Sequence, residues 1–163
     1  MAAQGRPEEG IADIEPGLTA VRATGAKRFR SYYLALLAEV YGQTGQVDQG
    51  LNALAEALEL VEKTDERWWE PEVRRLKGEL LLSQPAQDMA EAEECFNRAI
   101  AVAQRQSAKS LELRAAMSLA RLWRDQSRAA KARDLLAPIY GWFTEGFDTP
   151  DLKDAKALLD DLT

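Results

Sequence analysis

The sequence predicts an all-α fold, a right-handed solenoid of antiparallel helical hairpins with about three and a half repeats and a short capping helix. Three observations predict it. A small residue followed four positions later by a large one recurs as Gly10 and Ile14, Gly50 and Leu54, Ala92 and Phe96, and Ala132 and Leu136. Successive copies lie 40, 42 and 40 residues apart, a period that marks stacked helical hairpins. Apolar residues also return every three to four positions through stretches rich in Ala, Leu and Glu. Finally, no stretch alternates with period two for long enough to read as a strand. The chain has 163 residues, 46% of them apolar and 29% charged, which suits one domain of this kind.

The elements follow in order. Gly5 stands 40 residues before Gly45, so residues 1–24 read as half a repeat whose first helix is missing. Its helix, over about 7–22, contains Pro16, which removes a backbone hydrogen bond and kinks or shortens it. The expectation is a piece of a larger protein, or a truncated descendant of one. Residues 27–66 form a full repeat, with helices over 31–41 and 51–61 and a turn at 42–46 whose two glycines can go left-handed. Residues 67–107 form the next, turning through Ser83, Gln84 and Pro85 into a helix over about 88–105. Residues 108–146 repeat the plan, with helices over about 109–124 and 129–143. Residues 149–162 read as the cap, with Thr149 as N-cap and Pro150 in the first helical position.

Within each hairpin the small residue and the large one lie on the same helix face. The small side chain permits close approach and the large one fills the gap beside it. The first helices carry a matching set: Leu37-Ala38 with Tyr41, Gly78 with Leu81, and Leu119-Ala120 with Trp123.

Those residues resemble the tetratricopeptide repeat, whose first helix carries Leu-Gly-x-x-Tyr and whose second carries Ala-x-x-x-Phe. The departures are a longer period, Leu34, Arg74 and Ala116 in place of the opening Trp, and no closing Pro. The segments 66–82, 111–126 and 135–162 are also similar to the C-terminal repeat region of large bacterial signalling proteins. In those proteins the repeats join a nucleotide-cyclase or DNA-binding domain to a signal-transduction ATPase. This resemblance implies a sensor or scaffold arm rather than an enzyme.

The residues themselves offer little chemistry. There is no histidine, the usual general base and the commonest metal ligand. Cys95 lies beside Phe96 on a packing helix, with Glu93 and Glu94 nearby to disfavour a thiolate. No glycine-rich phosphate loop occurs, and the acid clusters lack the alternation and glycine of a calcium loop. No catalytic residue, cofactor or metal is therefore expected. Trp68 and Trp69 stand at a hairpin junction, where packing is favoured over a stacking platform. A formal charge of −6 disfavours nucleic acid. No apolar run approaches the roughly 20 residues of a membrane span, and a lone cysteine agrees with a reducing cytoplasm.

The partner expected is a protein or peptide. In a tetratricopeptide array the first helices line the concave face. Carried over by register, this resemblance puts Tyr32, Glu39 and Gln43 there from one repeat, Glu72, Arg75 and Glu79 from the next, and Arg114, Met117, Arg121 and Arg124 from the third. The arginines at 114, 121 and 124 share a helix face, and clustered guanidiniums would attract an acidic segment. The asparagine-and-lysine clamp of chaperone-binding relatives is not seen. Charge alternates along the chain: residues 105–133 carry 8 bases against 2 acids, between two acid-rich stretches. A second copy could therefore pair with this one as a homodimer. The alternative to a scaffold is a small-molecule sensor, which needs an enclosed apolar pocket.

Overall fold

Helix follows helix from Arg30 to Asp161, and short turns fold each back on the one before. The computed structural model describes residues 29–163, together with Pro16 and Thr19, both helical and exposed. The expectations for Gly5, Gly10, Ile14 and a helix over 7–22 otherwise lie outside the described residues. The helices are α1 (Arg30–Gln43), α2 (Val47–Thr64), α3 (Glu70–Ser83), α4 (Met89–Arg105), α5 (Lys109–Asp125), α6 (Ala129–Tyr140) and α7 (Pro150–Asp161). There is no strand among the described residues.

Each odd helix packs against the even helix that follows it, and α1, α3, α5 and α7 also pack side by side. The odd helices therefore make one continuous layer, and the even helices lie behind it. The seams use the predicted small and large residues. Ala38, Ala92, Ala120 and Ala132 have no exposed surface, and Leu54, Phe96 and Leu136 are buried completely beside them. Gly78 is the tightest point, since a Cβ there would stand 2.5 Å from Cε1 of the Phe96 ring.

Gly42 departs from the sequence expectation. It is inside α1 rather than in the turn, and a Cβ on it would meet Cδ2 of Leu80 at 2.7 Å. A Cβ on Gly50 would meet Cδ1 of the same leucine at 2.6 Å, so Leu80 sits in a notch made by two glycines. Gly45 alone supplies the left-handed turn, at φ 74°. Ser107 and Ser127 take the same role after α4 and α5, at φ 55° and 60°. In all three turns the amide directly after the left-handed residue closes the helix, Gln46 N–H to Tyr41 O, Ala108 N–H to Ala103 O and Arg128 N–H to Trp123 O, at 2.8–2.9 Å.

The core falls into two groups that meet at α3. Val73, Leu76 and Leu80 pack with α1 and α2, whereas Leu81 joins Phe96, Trp123, Leu136 and the α7 residues Leu152, Ala155 and Leu158. So α7 lays its apolar face on α5 and α6. Its start differs from the expectation in one respect. Thr149 occupies the N-cap position, but its hydroxyl donates back to Gly146 O at 2.7 Å and caps no helix amide. The helix read as 129–143 stops at Tyr140, because Pro138 supplies no donor and the chain tightens into three-residue bonds through Trp142 and Phe143.

Candidate functional site

The layer of odd helices forms an open groove with a cavity of about 430 Å³. Tyr32, Leu36 and Glu39 line it from α1, Trp69, Glu72 and Arg75 from the start of α3, Arg114, Met117, Ser118 and Arg121 from α5, and Asp151 and Asp154 from α7. Residues three, four and seven apart on a helix share a face, which is why each helix contributes a stripe. Of the sequence-predicted residues, Tyr32, Glu39, Glu72, Arg75, Arg114, Met117 and Arg121 lie here. Glu79 and Arg124 line an adjoining hollow of about 280 Å³ that shares Ser118 and Arg121. Gln43 is exposed at the end of α1 and lines neither.

Charge in the groove is mostly paired. Glu72, 6% exposed, receives two hydrogen bonds from Arg75, Nη2 to Oε1 at 2.7 Å and Nε to Oε2 at 3.0 Å. Burial works against the charge of Arg75, but Glu72, Glu79 and Glu39 outweigh it and hold the guanidinium above its ordinary value. Arg114 donates to Asp151 at 2.7 Å and stands 3.7 Å from Glu72, tying α3, α5 and α7 together. Ser118 donates to Glu79 at 2.5 Å, a second link between α5 and α3. Arg124 is held by Asp125 at 3.0 Å, with Asp161 at 3.8 Å.

The arginine cluster expected from sequence is thus largely neutralised. Two of its three guanidiniums have carboxylate partners from their own chain, and only Arg121 has none among the described residues. Asp151 and Asp161 are distant in sequence, so spacing along α5 could not reveal them. Part of the wider basic segment behaves alike, while Arg105 and Arg133 are exposed without an ion pair among the described residues. Lys109 pairs with the buried Glu112, Arg128 with Glu93, and Lys131 stands over the Trp123 ring at 3.8 Å from its centroid. Glu39 and Asp154, in turn, are groove carboxylates without an ion pair among the described residues.

One group of residues was read only in part. Trp68 and Trp69 join Phe29, Tyr32 and Tyr33 in a continuous set of aromatic contacts. Tyr32 stacks on Trp68 at 5.6 Å and meets Trp69 edge-on at 5.2 Å, and Phe29 meets Trp68 at 5.8 Å. Phe29, Tyr33 and Trp68 are 40–50% exposed, so the set is a surface feature and not only junction packing. Glu66 anchors it, accepting from the Phe29 amide at 3.2 Å and from the Trp68 indole at 3.2 Å. The clue in the sequence was five aromatics in two short runs about one repeat apart.

Cys95 is buried, and burial pushes its thiol up, with Glu91 adding to the effect and Lys77 opposing it. The carboxylate that matters is Glu91, one turn away, rather than Glu93 or Glu94. Among the described residues no group of three His, Cys, Asp or Glu side chains is placed to hold a metal ion. No helix among them is long and apolar enough to cross a membrane.

No family model matches the chain, and no curated protein matches it. Solved structures do. A crystal structure from Podosopora anserina, reported under the kinesin light chain name with nearly identical TPR-like repeats, superposes with a TM-score of 0.71. It is 17% identical and is matched over 98% of this chain and 79% of that one. A single-substitution variant of it gives a TM-score of 0.72 at 17% identity, over 98% and 78% of the two chains. The fold is therefore a TPR-like solenoid of helical hairpins.

Proposed function

We propose that this TPR-like solenoid is a non-catalytic scaffold that docks a segment of another protein along the groove of its odd helices. The observation that carries this reading is the groove itself. Four helices present side chains to one cavity, and those side chains are mixed in charge and open to a partner rather than arranged around a reacting centre. Paired acids and bases on a continuous wall suit a polypeptide, which brings its own charges and backbone groups. The repeats are taken as 27–66, 67–107 and 108–146 with a cap at 149–162, so each contributes one stripe.

Selection of a phage-displayed library of random dodecapeptides on the purified protein tests this. Enriched peptides should bind the wild type and lose at least about tenfold on Leu36→Trp, which puts a bulky ring into the cavity. Peptides that bind both proteins equally would contradict the reading.

A second reading, a small-molecule sensor, draws support from the cavity volume, which is within the range of ligand pockets. Its charged lining argues against an apolar effector. A metabolite that raises the melting temperature of the wild type but not of Leu36→Trp would favour it. A place in a larger bacterial signalling protein rests on the sequence resemblance alone. For homodimerisation, the charge argument is weakened where the basic segment is paired internally, at Lys109, Arg114, Arg124 and Arg128, and rests on Arg105, Arg121 and Arg133. Light scattering over a dilution series decides it.

A further inference from the structure

We infer that the docked segment carries a lysine or arginine side chain, seated at the α1/α3 end of the groove against Tyr32, Trp69 and Glu39. This rests on the docking reading above and reverses the acidic partner expected from the sequence. The charge of the wall is uneven. At the α1/α3 end Glu39 and Glu72 face Arg75, with Arg114 of α5 3.7 Å from Glu72, and Glu79 lies just beyond in the adjoining hollow. At the α5/α7 end Arg114 and Arg121 balance Asp151 and Asp154. The lining thus carries four carboxylates against three guanidiniums, and with Glu72 held by Arg75 the carboxylate beside the α1/α3 rings without an ion pair among the described residues is Glu39.

That end also holds the aromatic rings. Tyr32 and Trp69 line the cavity and are in contact with each other at 5.2 Å, with Trp68 behind them. An aromatic face attracts a cation through its quadrupole, and an adjacent carboxylate adds a charge-assisted hydrogen bond. Glu39 is exposed and has no ion pair among the described residues, so it is available for that bond. Arg75 does not compete strongly for it, since its shortest bonds go to Glu72. Tyr32 and Glu39 are seven residues apart on α1, two turns on one face. A long basic side chain can lay its methylenes over the rings while its charged head reaches the carboxylate. An anionic side chain would meet repulsion from both.

The library selection above supplies the probes. Peptides dependent on the groove should be enriched in Lys or Arg, and one of them is then resynthesised with norleucine for lysine, or citrulline for arginine. Affinity is measured by fluorescence anisotropy for wild type, Glu39→Gln and Tyr32→Leu. Each protein variant should weaken the parent peptide roughly fivefold. On the neutralised peptide the effect of Glu39→Gln should vanish. Groove-dependent peptides that are acidic or uncharged would overturn this inference and leave the docking reading standing. So would a Glu39→Gln effect that is the same on parent and neutralised peptides. An absence of any groove-dependent peptide would overturn both. Glu39 is a solvent-facing residue, so Glu39→Gln should fold as the wild type does, and its circular dichroism and melting temperature check that.

Discussion

The seams between helices and the wall of the groove are written on the same three helices under different rules. At the seam, positions 38, 78 and 120 are Ala, Gly and Ala, and positions 41, 81 and 123 are Tyr, Leu and Trp, all of them buried. On the groove wall the equivalent positions 32, 72 and 114 are Tyr, Glu and Arg, and 39, 79 and 121 are Glu, Glu and Arg. Residue size class is kept at the seam, while charge changes sign along the groove. A packed interior responds to single methylene groups, whereas a solvated wall tolerates any residue that finds water or a counter-ion. Stability and binding should therefore respond to different sets of substitutions.

The largest effect should come from the seam. Phe96→Ala empties a fully buried site and should cost about 3–5 kcal/mol in urea unfolding, since a cavity is left where the ring meets Gly78. Gly78→Ala attacks the same contact from the other side. Its new Cβ meets three ring atoms of a fully buried phenylalanine and should cost about 1–3 kcal/mol. Gly42→Ala, which presses on one methyl of Leu80, should cost less. A reversed order would break the comparison at its strongest point.

Ser127→Gly should instead stabilise, by roughly 0.5–1 kcal/mol, because serine is held left-handed there while Gly45 does the same work without strain. On the groove side, Glu39→Gln and Arg121→Gln should leave the unfolding free energy within about 0.5 kcal/mol of wild type. The smallest effect concerns Cys95. Its thiol is raised by burial, so its contribution to stability is complete below the unfolded thiol value of about 8.5 and fades as pH rises through the folded value. Cys95→Ala should therefore gain on the wild type above about pH 8.5 and run parallel to it below.

Local signals carried most of the fold. Alanine and leucine at helical spacing placed the helices, and the small-large pairs placed the seams, because both depend on residues a few positions apart. Gly42 was misread because a glycine beside a turn and a glycine pressed by Leu80, 38 residues away, look the same in one dimension. The left-handed serines at 107 and 127 carried no glycine to announce them. The register found most of the groove lining, since Tyr32, Arg75 and Arg121 follow the repeat. It could not find what neutralises Arg114, because Asp151 comes from the capping helix 37 residues on. Ring contacts between Tyr32 and Trp69 were hidden for the same reason: sequence gives a side chain's face on its own helix but not its neighbours across a seam.

The central claim, that partners dock on the layer of odd helices, is tested most directly by amide and indole NMR. A groove-selected dodecapeptide is titrated into the uniformly nitrogen-15-labelled protein. The account predicts saturable shifts at the Trp69 indole and at amides around Tyr32, Glu39, Arg75 and Arg121, with α2, α4 and α6 unmoved on their outer faces. Shifts concentrated on those even helices, with the Trp69 indole unchanged, would contradict it.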